Sequence, residues 1–423
     1  MGTRLSGPGP QQNRFAAYIE GLAGAAGHAD RHEPLKSYSA GLLLPGDRKS
    51  VEPMAARLAP DKVRQTHQSM HHLVADAPWD DDRMLSQVRT QVLPAMKKQG
   101  PVVAWIVDDT GIPKKGRHSV GVARQYCGQL GKQDNCQVAV SLSISTWSSS
   151  LPIAWRLYLP ESWANDSERR DKAKVPREVT FQTKPTIALN QIRQAVDENV
   201  PKGVVLTDAG YGVDTHFRTT LTELGLQYVV GIQSTATVRE PGAIPAKAKT
   251  RLRRDEEHPP VPVKEVAFSL PPTSWKNVTW RQGSQRNLKS RFAAVRVHPA
   301  HRNHDHAEEW LLMEWPKDAS EPTKYWLSTM PHATKLKDLV KMAKHRWIIE
   351  RDYEELKQEL GLGHYEGRGW RGFHHHATLC IAAYGFLVSE RNRFSPSAHA
   401  GNVGLRAPKP PPGFRPRGAP DPA

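Results

Sequence analysis

Apolar residues recur at three-and-four spacing through RFAAYIEGLAGAAG, KSVEPMAARLAP and DDDRMLSQVRTQVLPAM, and Asp or Ser stands near the start of the latter two. That spacing makes one face of a helix apolar and those residues cap a helix start, so residues 1–98 are predicted as a helical N-terminal domain. The texture then changes. Residues 102–107 are a short apolar run that fits a buried strand, QVAVSLSIST alternates, and LPIAWRLYLP reads as a third strand. A basic, polar connection leads to a helix, TIALNQIRQAVDE, and then to the apolar strand GVVLTD, which ends at Asp208. Helix THFRTTLTELG and strand QYVVGIQ follow. This order predicts an α/β fold, a mixed sheet with helices packed on it, whose first part spans residues 99–233.

Residues 234–322 break the pattern. They hold the Pro-rich basic stretch PAKAKTRLRRDEEHPPVPVKE and the strand-like pieces WKNVTW, RFAAVRV and EEWLLMEW, and are predicted as a β-rich insertion. The sheet texture resumes with KYWLSTMP, followed by one long helix over about 334–360 and an apolar helix, HHHATLCIAAYGFLVSE, so that residues 323–392 complete the core. Residues 393–423 are rich in Pro, Gly, Ser and Arg and read as a disordered basic tail.

Composition narrows the function. A chain of 423 residues exceeds one ordinary core, and 38% hydrophobic residues with 12 Trp exclude wholesale disorder. A net charge of +16 favours an anionic partner, nucleic acid or an anionic membrane. No stretch approaches the roughly 18 apolar residues of a membrane span, and MGTRLSGPGPQQNRF lacks a signal-peptide core, which predicts a soluble cytoplasmic protein with no membrane partner. Cys127, Cys136 and Cys380 share no metal-site spacing, and Cys127 and Cys136 read as packing residues.

Three acids stand where chemistry is possible. WIVDDTGIPKKG ends an apolar run in Asp108 and Asp109, then turns into Lys114, Lys115 and Arg117. GVVLTDAGYG repeats the arrangement at Asp208. Each aspartate alone can be turn chemistry, but carboxyl ends of strands in α/β sheets are where ligands sit. On the long helix KLKDLVKMAKHRWIIERDYEELKQEL, Arg346, Glu350 and Lys357 fall within a sector of roughly 60°, either a surface ion-pair stripe or a carboxylate flanked by two cations. Two strand-end aspartates and a helix glutamate are the hard oxygen donors that hold Mg²⁺, and a site with two ions about 3.5–4 Å apart suits in-line displacement at phosphorus. The bases after the first turn then serve DNA phosphate.

With these residues in view, the chain resembles the DDE-superfamily transposases of bacterial insertion sequences, whose catalytic domain is RNase H-like. The similarity is carried by WIVDDTGIPKKGRHSVGVARQYCGQLGKQDNCQVAVSLS, LYLPESWANDSERRDKAKVP, LTDAGYG and HRWIIERDYEELKQELGLGHYEGRGWRGFHHH. It implies Asp108, Asp208 and Glu350 as the metal-binding triad, with Asp109 the competitor for the first place, and Mg²⁺ or Mn²⁺, two ions, as cofactor. A related group with a Tyr-Arg-Glu-Lys signature matches at Arg346, Glu350 and Lys357, which implies phosphate contacts for the two cations. Its tyrosine falls at Ala343. The partners implied are terminal inverted repeats and target DNA, read by a homodimer.

In the insertion, Lys276, Arg281, Arg286, Lys289, Arg291, Arg296 and Arg302 accumulate beside Trp275 and Trp280. Bases neutralise phosphate and Trp stacks on unpaired bases, so this is a candidate DNA-end groove, unless both tryptophans are core of a small sheet. Arg368 in GLGHYEGRGW is a further candidate DNA contact. His374, His375 and His376 read as solvated or phosphate-facing. Two rival functions remain: a non-enzymatic DNA-binding regulator derived from a transposase, and an RNase H-fold nuclease without strand transfer.

Overall fold

The computed structural model describes residues 10–239, 259–282, 287–300 and 307–394. Arg286, Arg302, most of the Pro-rich basic stretch and residues 395–423 of the tail lie outside them.

Five helices come first: α1 Pro10–Ala26, α2 His32–Leu43, α3 Val51–Leu58, α4 Val63–Ala75 and α5 Asp81–Lys98. The start of α5 is fixed by Asp80, whose side chain accepts the Arg83 N–H at 2.9 Å, and its charges oppose the helix dipole, with Asp81 and Asp82 in the first turn and Lys97 and Lys98 in the last. Sequence periodicity predicts α1, α3 and α5. It misses α2, interrupted by Ser and Gly, and α4, whose VRQTHQSMHHLVA is largely polar.

The strands are β1 Ala104–Pro113, β2 Ala123–Cys127, β3 Lys132–Ser145, β4 Ser150–Leu157, β5 Val204–Thr207, β6 Tyr228–Ile232, β7 Thr237–Arg239, β8 Val261–Pro262, β9 Lys276–Gln282, β10 Asn287–Pro299, β11 Glu309–Trp315 and β12 Lys324–Ser328. β3 pairs antiparallel with β1 along one edge and with β2 and β4 along the other. On the far side of β1, β5 and then β6 run parallel to it. Three antiparallel strands joined to two parallel ones, with helices against the sheet, make an RNase H-like mixed α/β core. β12, β11 and β10 extend the same sheet beyond β6, with β9 on β10. The β-rich stretch between 234 and 322 therefore continues the central sheet.

Between β4 and β5 come short helices α6 Glu161–Ala164 and α7 Ser167–Lys172, then α8 Lys184–Asp197, capped by Thr183. After β5 come α9 Ala209–Gly212 and α10 Thr215–Glu223, and α11 Val263–Ser269 precedes β9. The predicted long helix is broken: α12 Leu336–His345 and α13 Ile348–Glu354 are separated at Arg346–Trp347, and a π-helical segment, Glu355–Glu359, follows.

The last helix, α14 Trp370–Phe394, is buried on nearly every side, as a helix apolar all round must be. It packs on α5, α2 and α4 and on β4, joining the helical layer and the sheet in one apolar cluster. This overturns the solvated reading of the three histidines, which are all buried. His374 lies between Trp370 O at 2.9 Å and the Leu157 N–H at 3.2 Å, and His376 between the Tyr38 hydroxyl at 2.8 Å and Gly361 O at 3.0 Å. Leu157 and Tyr38 come from distant parts of the chain, so local sequence does not reveal the burial.

Candidate active site

β1 does not stop at Asp108 as its apolar run predicts, because β3 pairs with it as far as Pro113. The parallel pairing to β5 does stop, with Ile106 opposite Leu206 the last pair. The same register carried two residues on brings Asp108 level with Asp208, where the two strands part. A crevice opens there, as it does at the carboxyl ends of parallel strands generally. Asp208 caps α9, its Oδ1 accepting the Gly210 N–H at 2.9 Å. Glycines allow this close approach: a Cβ on Gly231 of β6 would stand 2.8 Å from Ala209 N and 2.9 Å from the Asp208 carbonyl carbon.

Glu350 comes from α13 and is exposed. Asp208, Glu350 and Arg346 line one cavity of about 310 Å³, together with Gly231, Lys344 and Trp347. Asp108 joins through Arg346, whose Nη1 lies 2.7 Å from Asp108 Oδ2. Burial works against the Arg346 charge, yet Asp108, Asp208 and Glu350 together raise its pKa. Burial pushes the Asp108 carboxyl up to about 7 against the pull of Arg346, with Asp208 and Asp109 adding to the rise. One guanidinium thus contacts Asp108 and shares its cavity with Asp208 and Glu350. Among the described residues, no three His, Cys, Asp or Glu side chains form a group that could hold a metal ion.

Asp109 is differently engaged. Lys184 Nζ, at the start of α8, lies 2.9 Å from its Oδ2, and the Tyr211 hydroxyl donates to the same oxygen at 3.3 Å. Lys357 sits in the π segment and donates to Gly111 O of β1 at 2.8 Å. Burial lowers its pKa. Ala343, where the related signature has tyrosine, is buried. Tyr353, one turn past Glu350, is bonded to the Ser141 hydroxyl at 2.7 Å, and Ser141 is the cross-strand partner of Asp108. Burial and the Asp108 charge raise the Tyr353 pKa well above the ordinary phenol value. Sequence reasoning missed Lys184, Tyr211, Ser141 and Tyr353. Tyr211, Ser141 and Tyr353 lie within quoted stretches, LTDAGYG, QVAVSLS and HRWIIERDYEEL, whereas Lys184 had no such signal.

The candidate DNA contacts fall in two places. Lys114, Lys115 and Arg368 line a cavity of about 580 Å³ with Arg48 and His364, where Glu366 is the acid. Arg117 is exposed beside it. The tryptophans of the insertion have packing partners: Trp275 meets Trp315 edge-on at 5.3 Å, and Trp280 meets Phe292 at 5.6 Å. Arg281 stacks over Trp347 at 3.6 Å, Arg291 donates to Trp315 O at 3.2 Å, and Lys289 is exposed. No helix among the described residues is long and apolar enough to cross a membrane.

An RNase H-like sheet with aspartates where β1 and β5 part belongs to a recognisable class of α/β protein. A family profile described as DDE superfamily endonuclease matches residues 21–287, well over half of the chain, and the chain belongs to that family. The match takes in Asp108 and Asp208 and ends before Glu350. The chain is also similar to a protein of Microchaete diplosiphon described as the probable transposase for insertion sequence element IS701, being 30% identical to it over 203 residues. The similarity covers 48% of this chain and 49% of that relative, about half the length of each.

Proposed function

We propose that the chain is the transposase of an insertion sequence, cutting DNA at the element ends and joining them to target DNA through Asp108, Asp208 and Glu350. The observation that carries the reading is the placement of Asp208, Glu350 and Arg346 on one cavity with Asp108 held by Arg346. Three carboxylates are the hard oxygens that Mg²⁺ or Mn²⁺ takes, but among the described residues they are not gathered into one ligand group, and Asp108 is held by Arg346. Divalent ions held there, two in the proposal, supply charge neutralisation for the entering and leaving oxygens of an in-line displacement.

In the first step water attacks phosphorus at an element end and the P–O3′ bond breaks, leaving a free 3′-hydroxyl. In the second, that hydroxyl attacks a target phosphodiester and displaces its 3′-oxygen. The chain's own part is positioning. β1 and β5 set the two aspartates level, α13 brings Glu350 across the cavity, and Arg346 and Lys357 place positive charge beside β1. Lys114, Lys115, Arg117 and Arg368 form a backbone path on one side, with Arg281, Lys289 and Arg291 on the other. Trp275, Trp280 and Arg286 stay assigned to the insertion's DNA groove. The division into residues 1–98, 99–233, 234–322, 323–392 and 393–423 is part of the proposal: the N-terminal helices read the terminal inverted repeats, and a homodimer pairs two ends in the cytoplasm.

The test is a supercoiled plasmid carrying the element ends, incubated with Mg²⁺ or Mn²⁺. Wild-type protein is expected to give nicked and joined products, and Asp208→Asn none. Undiminished cleavage by the variant overturns the assignment. Cleavage without joining favours a nuclease, and end binding with no cleavage favours a regulator.

A further inference from the structure

We infer that the hairpin of β2 and β3 is a base-contacting element, its tip residues Tyr126 and Leu130 stacking on unpaired bases of a DNA strand whose phosphates lie in the basic cleft at its foot. DNA as partner is taken from the reading above; contact with bases through this hairpin is new.

β2 turns alternate residues to solvent: Arg124 and Tyr126 are exposed, Ala123 and Gln125 half-buried and Cys127 buried. The chain then reverses through residues 128–131. The Leu130 N–H donates to Cys127 O at 2.9 Å, and Gly131 takes φ +63°, the left-handed region that favours glycine. Tyr126 is 64% exposed and Leu130 42%. One exposed apolar side chain is ordinary on a protein surface. Here an aromatic and an aliphatic one share a hairpin tip, with Arg124 on the face of Tyr126 and Lys132 at the turn, which marks an interaction surface.

The foot of the hairpin is basic. Lys115, Arg117, Arg124 and Arg169 line a cavity of about 400 Å³, where Asp134 is the acid and itself lies 3.2 Å from Lys132 Nζ. Arg169 of α7 stacks over the Trp163 ring at 3.8 Å, and Trp163 Nε1 donates to Val122 O at 2.7 Å, one residue before β2. Asn135 of β3 donates from Nδ2 to Lys114 O at 2.9 Å and to Gly116 O at 2.7 Å, which ties the hairpin to the turn bearing Lys114, Lys115 and Arg117. Cations lining a cleft, with an aromatic ring two residues along the same strand face, suit single-stranded nucleic acid: the charges neutralise phosphates and the ring stacks on a base of any identity.

The hairpin also leans on the strand that carries Asp108. A Cβ on Gly111 of β1 would stand 3.2 Å from Cys127 Cα and 3.0 Å from its Sγ, so glycine there lets the hairpin approach β1 just past the two aspartates. Lys357 donates to the carbonyl of the same glycine at 2.8 Å. Hairpin and candidate site therefore meet at Gly111. This continuity favours DNA over an anionic membrane, the other partner suited to a basic surface with an apolar tip.

The experiment measures binding of the full chain, by fluorescence anisotropy, to two labelled duplexes of one sequence, one fully paired and one with a few unpaired nucleotides at an end. Wild type is expected to prefer the frayed duplex by at least about fivefold, the lower end of what stacking on one base contributes. Tyr126→Ala combined with Leu130→Ala is expected to remove that preference and leave binding to the paired duplex nearly unchanged; both side chains are exposed, so their loss spares the core. Tyr126→Phe is expected to keep the preference, because stacking needs the ring and not the hydroxyl. Arg124→Gln combined with Arg169→Gln is expected to weaken both duplexes alike and to make the log–log salt dependence shallower by about two. No preference in wild type, or one unchanged by loss of Tyr126 and Leu130, overturns the inference while DNA binding stands. Wild type that binds neither duplex sinks the DNA reading with it. Binding to phosphatidylserine vesicles that depends on Tyr126, with no such dependence on DNA, assigns the tip to a membrane and overturns the inference.

Discussion

Lys184 Nζ lies 2.9 Å from Asp109 Oδ2, and this ion pair gives two adjacent aspartates different surroundings. Asp109 has Lys184 and the Tyr211 hydroxyl; Asp108 has Arg346, which lines the cavity with Asp208 and Glu350. Asp108→Asn is therefore expected to abolish cleavage, whereas Asp109→Asn lowers it by about tenfold, the size of effect seen when a supporting partner is lost. Lys184→Met should resemble Asp109→Asn. A plasmid-nicking assay on the three proteins checks this, and an Asp109→Asn protein as dead as Asp108→Asn reverses the assignment of the first ligand.

Removing Arg346 has a cost that a cation can offset. The Asp108 carboxyl is buried and already pushed up to about 7 beside Arg346, so loss of that partner leaves it to protonate near neutral pH with its hydrogen bond lost, a cost of about 1–3 kcal/mol. Arg346→Gln should unfold at lower urea concentration than wild type, and Mn²⁺ should recover more stability in the variant than in wild type, because an ion that binds only the folded state stabilises it. Equal Mn²⁺ effects on both proteins contradict this.

Much of this arrangement is legible in the sequence because it depends on polar residues interrupting apolar runs. Asp208 closes GVVLTD, and Asp108 follows an apolar stretch, so both are visible before any coordinates. The order of strands and helices is legible for the same reason. What escapes is set by long-range contacts. The break at Arg346–Trp347 is invisible in HRWIIERDYEEL, since Arg346 is drawn to Asp108, 238 positions away in sequence, and Trp347 is covered by Arg281. β2 escapes because ARQYC is short, polar and half-exposed on the edge of β3. Lys184 gives no local sign that it serves Asp109.

The insertion is fixed to the site helix by a buried ion pair. Lys344 of α12 lies 2.5 Å from Glu314 of β11, their side chains 14% and 6% exposed, and Lys344 Nζ also sits 4.5 Å over the Trp280 ring. Breaking one member strands the other charge, so Lys344→Met or Glu314→Gln alone should destabilise by about 3–5 kcal/mol, while the double variant should lose less than the sum. Urea unfolding of the four proteins closes the cycle. Additive losses show that the two groups do not depend on each other.

Acid should weaken the packing of α14. Burial lowers the His376 pKa to about 4, with Gly361 O, the Tyr38 hydroxyl, Cys380 and Lys114 around it, and lowers His374 to about 3. Because the unfolded chain binds these protons near the ordinary histidine value of about 6.5, their stabilisation is complete above that pH and is lost as pH falls toward the folded values. The slope is roughly 1.4 kcal/mol per pH unit for each histidine. His376→Gln should lose one such increment between about pH 6 and 4.5, read from thermal midpoints across that range. An unchanged slope means that His376 is already protonated in the folded protein.

The basic cavity beside β1 offers a test of DNA contact independent of chemistry. Lys115 and Arg368 are exposed at its rim, and Lys114 lies deeper, its Nζ donating to Tyr365 O at 2.7 Å. If Lys115 and Arg368 each neutralise a phosphate, the variant lacking both charges should bind DNA with a salt dependence shallower by about two in log–log slope. Burial lowers the Lys114 pKa to about 8, with Glu366 opposing the shift. A protonated amine is the form that attracts phosphate, so its contribution is present below pH 8 and fades above it. Wild-type affinity should therefore fall between about pH 7 and 9, and Lys114→Met should bind more weakly at pH 7 with a flatter profile. Fluorescence anisotropy with a labelled duplex measures both effects. If the double variant keeps the wild-type salt slope and Lys114→Met keeps the wild-type pH profile, this face carries no DNA.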